Sequence, residues 1–302
     1  MACKKITFTK TNCILENMGN ILIADAGSTT VEWSLVSKAG NVLVSVATQG
    51  INALLADAET INSTFADVKR ELPKDNGIDE IFYYGAGCAT PAICTKINDS
   101  LSHIWGEANI SVHSDLLGAA RSLFGDKKGI ACILGTGSNS CFYDGENILS
   151  QIPSLGFILG DEGSGAALGK RLISDAFKEQ LPENVRDAFL EEYHLTLPEI
   201  LDKVYKQPAP NRFLASFVPF LHKNLWNPYI FSLVLKELTR FVKRNVAMYK
   251  GAHSVDVCFT GSIACHFERV LREAVASQGY RVTRISKSPM DGLIAYHTKQ
   301  KS

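Results

Sequence analysis

Asp25-Ala26-Gly27-Ser28-Thr29-Thr30 brings a carboxylate, a glycine and three hydroxyls together within six residues. Glycine lets the main chain approach a phosphate closely, and successive N–H groups can form an anion-binding nest. Ser28 and Thr29 add donors, and Asp25 at a strand end suits a magnesium ion held through water. Gly135-Thr136-Gly137-Ser138-Asn139-Ser140 is a second donor-rich stretch of the same kind. Two such loops facing each other could clamp a polyphosphate from both sides. Either one alone reads equally well as an ordinary tight hairpin.

Three further stretches carry chemistry. Gly160-Asp161-Glu162-Gly163-Ser164-Gly165 enters a helix. Its acids can serve the helix dipole, while its glycines suit a close backbone approach to a ligand. Asp115 is the acid at the start of another helix. A carboxylate placed there can accept the proton of an attacking hydroxyl, and the helix dipole is expected to keep it ionised. Simple helix capping explains it as well. Phe259-Thr260-Gly261-Ser262 is a small-residue strand-to-helix turn, open to the flat face of a nucleobase or simply tight.

Other chemistries lack their signatures. There is no Gly-x-x-x-x-Gly-Lys-Ser/Thr loop and no Gly-x-Ser-x-Gly elbow, and no Gly-x-Gly-x-x-Gly opens a helix. The histidines have no metal-ligand spacing. The eight cysteines, at 3, 13, 88, 94, 132, 141, 258 and 265, form no Cys-x-x-Cys pair. They are expected to be reduced and buried.

The elements that must hold these loops follow from periodicity. Ile21 to Asp25 is a short apolar strand, and Val31, Trp33 and Leu35 alternate with polar residues at period two. A turn at Lys38–Asn41 and a strand over Val42–Val46 complete a three-strand meander. Residues from about Asn52 to Leu72 are expected to be helical, followed by strand Glu80–Tyr84, a helix from Pro91 and strand Ile110–His113. Ser114 then caps a helix whose stripe includes Leu116, Leu117, Ala120 and Leu123. At Gly129 the opening pattern of strand, glycine loop, strand, turn, strand recurs, about 110 residues on. That points to two similar α/β halves. A helical insertion spans about 164–250. Strand Val255–Thr260, helix His266–Ser277, strand Arg281–Ile285 and a last helix near Pro289–His297 follow.

The 302 residues favour two compact domains, expected at 19–114 and 115–302, the last helix packing back on the first. Residues 1–18 are expected to be a disordered or mis-called extension. They lack the apolar core and cleavage site of a secretion signal. Apolar residues make up 46% and charged residues 21%, with zero formal net charge. This balance suggests neither a nucleic-acid nor a membrane-surface partner. No run of eighteen apolar residues occurs, so no spanning helix is expected.

Taken in order, these five stretches resemble the N-acetylglucosamine kinase family. More broadly they resemble the BadF/BadG-type ATPases, within the superfamily of sugar kinases, actin and heat-shock ATPases. Gly-Thr-Gly-Ser-Asn followed about twenty residues later by Gly-Asp-Glu-Gly-Ser is the most specific part. The resemblance implies two ribonuclease-H-like (actin-like ATPase) domains around an interdomain cleft. It also implies ATP and Mg2+ as cofactors, a hexosamine as substrate, a cytoplasmic location and possible homodimer formation.

Residue by residue, the resemblance implies that Asp115 is the catalytic base. Asp25, Gly27, Ser28 and Thr29 form the first phosphate loop, with Asp25 also holding Mg2+ through water. Gly135, Thr136 and Gly137 contact nucleotide, and Gly261 and Ser262 match the adenosine motif. Asn52, Ser138, Asn139, Gly156 and Asp161 match sugar-binding positions. Ser154-Leu155-Gly156-Phe157 departs from the Gly-Trp-Gly-His of the animal enzymes, which leaves the acyl preference open. Glucosamine, N-acetylmuramic acid or another amino sugar then stay open as the acceptor in place of N-acetylglucosamine. Two further readings remain at this point. One is an ATPase activator of a 2-hydroxyacyl-CoA dehydratase-type enzyme, with an iron–sulfur cluster held by cysteines. The other is an inactive sugar-binding relative.

Overall fold

The computed structural model describes residues 19–54, 56–74 and 77–299. The expectation for residues 1–18 lies outside them. The described chain forms two compact units, one of residues up to Gly125 together with those from Pro289, the other of Asp126–Ser288.

The first unit begins with a meander of β1 (Asn20–Ala26), β2 (Thr30–Ser37) and β3 (Val42–Gln49). Helix α1 (Ala58–Glu71), strand β4 (Ile78–Gly85), helix α2 (Pro91–Ile104), strand β5 (Asn109–Ser114) and helix α3 (Asp115–Phe124) follow. The sheet order is β3-β2-β1-β4-β5, with β4 and β5 parallel to β1. Both faces of β1 are buried, as its uninterrupted apolar run requires. Leu22, Ala24 and Ala26 join Trp33, Phe65 and Tyr83 in one core beneath α1 and α2. Ile21 and Ile23 join a second core with Tyr84, Met290 and Leu293.

The second unit repeats this order. β6 (Gly129–Leu134), β7 (Ser138–Tyr143) and β8 (Ile148–Gln151) form its meander. Six helices follow: α4 (Gly156–Leu159), α5 (Gly165–Phe177), α6 (Glu183–Tyr193), α7 (Leu197–Tyr205), α8 (Pro210–Ala215) and α9 (Val218–Lys223). Then come α10 (Pro228–Arg244), β9 (Val257–Thr260), α11 (Ser262–His266), α12 (Glu268–Ala276) and β10 (Val282–Ser286). The sheet runs β10-β9-β6-β7-β8, the first sheet's order with the two parallel strands again beside the meander's first strand. Its core joins Cys132, Leu134 and Phe259 of the sheet to Phe189, Phe217 and Phe241 of the helices.

Four expectations need correction. Helix α1 starts at Ala58 rather than near Asn52, because Asp57 accepts the Thr60 amide as an N-cap. The predicted boundary at 114/115 falls instead at 125/126, because Gly118 lets α3 lie against the Tyr84 ring and so join the first sheet. The predicted helix from His266 is two helices, α11 and α12, joined at Phe267. Cys265 is exposed, whereas Cys88, Cys132, Cys141 and Cys258 are buried. The last helix, α13 (Met290–Thr298), packs on α3 and β1 within the first unit, with Gly292 against Ser122. No helix among the described residues is long and apolar enough to cross a membrane.

Candidate active site

In the first unit, the ends of three parallel strands set the geometry. Ala26, Gly85 and Ser114 lie in register across β1, β4 and β5, so Asp25 and Asp115 emerge at one carboxyl edge of the sheet. That edge is where open α/β sheets bind ligands. The Gly27 amide donates to the Thr30 carbonyl at 3.0 Å and closes the first hairpin around Ser28 and Thr29. The Gly50 amide donates to the Thr29 carbonyl at 2.9 Å, and a side chain at Gly50 would collide with the Ser28–Thr29 backbone. Gly50 therefore supports the Ser28–Thr29 loop from behind. Sequence reasoning passed over it, although a glycine closing β3 was the available signal.

Burial pushes the Asp25 carboxyl up to about 7, with further upward pressure from Asp115 and then Glu32. Asp115 is the first residue of α3, and its Oδ1 accepts the Leu116 amide at 2.9 Å. Ser114 supplies the cap, accepting the Leu117 amide at 3.2 Å. Burial outweighs the backbone hydrogen bonds from the Leu116 and Asp115 amides, and Asp115 is raised to about 6 rather than held low as expected. Near neutral pH it is mostly ionised, with a proton affinity closer to the working pH than an ordinary carboxylate has. Tyr83, fully buried in the same unit, has a hydroxyl with no partner among the described residues, and sequence reasoning did not single it out. Asn52 folds into a local turn, with Oδ1 accepting the Leu54 amide at 3.1 Å. Gly87, at φ +83°, leaves room for that side chain.

Asp25 is a half-buried carboxylate under pressure from two other acids, and a nearby divalent ion would relieve it. No group of three or more His, Cys, Asp or Glu residues among the described residues could hold a metal alone. Magnesium at Asp25 would therefore keep most of its waters and share phosphate oxygens, as it commonly does.

In the second unit, the Gly135 hairpin is fixed by helix α5. Gly165 donates to the Gly135 carbonyl at 2.8 Å, and Ala166 to the Thr136 carbonyl at 3.1 Å. A side chain at Gly135 would meet nothing within 4 Å, so no packing in the described fold requires glycine there. Gly261, at φ +114°, has room for no side chain, because the Leu134 carbonyl occupies that space. The Gly261–Ser262 turn thus lies directly against the Gly135 hairpin, with Ser262 exposed.

Asp161 and Glu162 do not cap α5, since Ser164 does so by accepting the Ala167 amide at 3.1 Å. Asp161 adopts a left-handed backbone, φ +58°, and its Oδ1 accepts the Ser138 amide at 3.1 Å. Burial raises its pKa, and the Ser138 bond opposes that. Ser138 and Asp161 line a cavity of about 190 Å3 with Ser154, Leu155, Leu159 and Arg244. Asn139 does not reach it. Side chains alternate along β7, and Asn139 Oδ1 accepts from the Ser140 amide and Gln151 Nε2. Gly156, at φ +72°, starts α4 and also lies outside the lining. A larger cavity of about 430 Å3, beside Lys128, His253 and Arg281, lies at the opposite ends of these strands.

The pattern of the BadF/BadG/BcrA/BcrD ATPase family matches residues 24–295. Among solved structures, a candidate N-acetylglucosamine kinase from Porphyromonas gingivalis is 42% identical, with a TM-score of 0.90. The match covers 93% of this chain and 100% of that one. A second candidate N-acetylglucosamine kinase, from Chromobacterium violaceum, is 17% identical with a TM-score of 0.71, over 93% and 100% of the two chains. A ROK family glucokinase from Streptomyces griseus, solved with glucose and AMPPNP, shares the fold at 14% identity and a TM-score of 0.54, over 92% of this chain and 98% of that one. No curated protein matches the chain.

Proposed function

The chain belongs to the BadF/BadG/BcrA/BcrD ATPase family, and from that membership we propose that it is an ATP-dependent kinase of N-acetylglucosamine or a closely related hexosamine. The observation that carries this reading is the pair of half-buried carboxylates, Asp25 and Asp115, at one strand edge with proton affinities drawn toward neutrality. The 42% identity to the Porphyromonas protein supports the acceptor class.

In this reading Asp115 accepts the proton of the attacking sugar hydroxyl. The hydroxyl oxygen forms a bond to the γ-phosphorus as the bond to the ADP oxygen breaks. The first hairpin and the Gly135 hairpin supply amide and hydroxyl donors for phosphate charge, and the Gly261–Ser262 turn takes the adenosine. Asn52, Ser138 and Asp161 hold the sugar. Asn139 and Gly156 remain candidates to support that site from outside the cavity lining. Magnesium, when bound at Asp25, neutralises phosphate charge. Cytoplasmic residence and homodimer formation belong to the same proposal.

ADP release with ATP and magnesium, measured across N-acetylglucosamine, glucosamine, N-acetylmuramic acid and glucose, tests it. ADP formed at one rate with or without any sugar would overturn the kinase reading.

A further inference from the structure

The loop carrying Asp161 is strained and is held from outside. Asp161 at φ +58° and Gly163 at φ +71° place two left-handed residues within three positions. A left-handed non-glycine residue persists only where its surroundings impose it. Between them, the Glu162 side chain is only 7% exposed.

Helix α10 supplies the restraint. Arg244 donates from Nε to Glu162 Oε1, and Arg240 lies 4.0 Å from the same oxygen. Arg240 also approaches Glu237 at 3.7 Å. These residues, three and four apart, share one helical face with Phe241. A side chain at Gly163 would come within 2.9 Å of Phe241 Cβ, so the loop lies directly on that face. A buried carboxylate without its cation is costly, so the loop gains its fixed position from this pairing.

We propose that Arg244 is a positioning residue for the acceptor site, acting through Glu162 to hold the Asp161 carboxylate at the Ser138 amide. This gives the helical insertion a role in the site, since α10 is part of it. The effect on sugar binding rests on the reading of Asp161 as a sugar ligand. The clamp itself does not.

The test compares Arg244→Met, Arg244→Lys and, as a surface control on the same helix, Lys243→Met. Kinetics with ATP and N-acetylglucosamine are paired with hydrogen exchange of the segments around Ser138 and 160–165. Arg244→Met is expected to raise the sugar KM about tenfold while KM for ATP and kcat stay within about twofold. Exchange in both segments should quicken. Arg244→Lys should recover part of both effects, and Lys243→Met should show neither. An unchanged sugar KM, with or without faster exchange, overturns the proposal. So does an equal rise in KM for ATP, which marks general loosening. If wild-type protein phosphorylates no sugar, the kinase reading fails separately. Exchange then decides the clamp, with unchanged rates in Arg244→Met overturning it.

Discussion

The Ser138 amide donates to the Asp161 carboxylate at 3.1 Å, joining the second hairpin to a loop 23 residues further along the chain. A cavity opens beside this bond, with Ser154, Leu155 and Arg244 around it. One carboxylate therefore fixes a backbone amide and faces a space of ligand size.

Asp161→Asn retains the shape but weakens charge-assisted hydrogen bonds, each worth about 1.5–3 kcal/mol. The sugar KM should rise at least about tenfold, with KM for ATP nearly unchanged. Steady-state kinetics with each substrate varied in turn provide the check.

The pH profile should carry the imprint of burial. Asp115 must be ionised to accept a proton, and its pKa is raised to about 6. Its competence is therefore lost as pH falls through about 6, well above the ordinary range near 3.8. The acid limb of kcat/KM for the sugar should bend near pH 6. A limb near pH 4 would assign the base elsewhere.

Asp25 should lower stability at neutral pH in the absence of ligands. Its folded pKa of about 7 exceeds its ordinary 3.8, so the folded state holds the proton more tightly than the unfolded one. This group's contribution is full below about pH 4 and lost as pH rises through 7. Asp25→Asn should therefore raise the ligand-free Tm at pH 8 by at least about 2 °C, with the gap narrowing at pH 5 and closing below about pH 4. Magnesium should restore Tm with ATP in the wild type and not in the variant.

Two glycines separate ligand from fold. Gly135→Ala meets nothing within 4 Å, so stability should change by less than about 0.5 kcal/mol while KM for ATP rises. Gly261→Ala must abandon φ +114° and clear the Leu134 carbonyl. Backbone strain alone costs about 1–3 kcal/mol, and Tm should fall several degrees. Calorimetry beside nucleotide titration distinguishes the two.

The sequence carried the sheets well because period-two alternation and glycine loops are local signals. Trp33 and Leu35 mark β2, and the pattern recurs at Gly129, where the second meander begins. Asp115, Ser138 and Asp161 each lie beside a strand or helix end where the sequence drew notice, but the bond between Ser138 and Asp161 did not show there. Other features depend on distant neighbours. The Asp57 cap moved α1, and Gly118 drew α3 onto Tyr84. Nothing local to Arg244 indicates that it meets Glu162, 82 residues away. The raised proton affinity of Asp115 was not legible for the same reason, because its hydrogen bonds are local and its desolvation is tertiary.

The most direct test of the account is sugar-dependent ADP release by Asp115→Ala, with ATP affinity measured on the same preparation. Loss of a positioned base costs about 10^2–10^4 in rate. The account predicts a fall in kcat of that size with ATP binding retained. Full turnover in Asp115→Ala would contradict it.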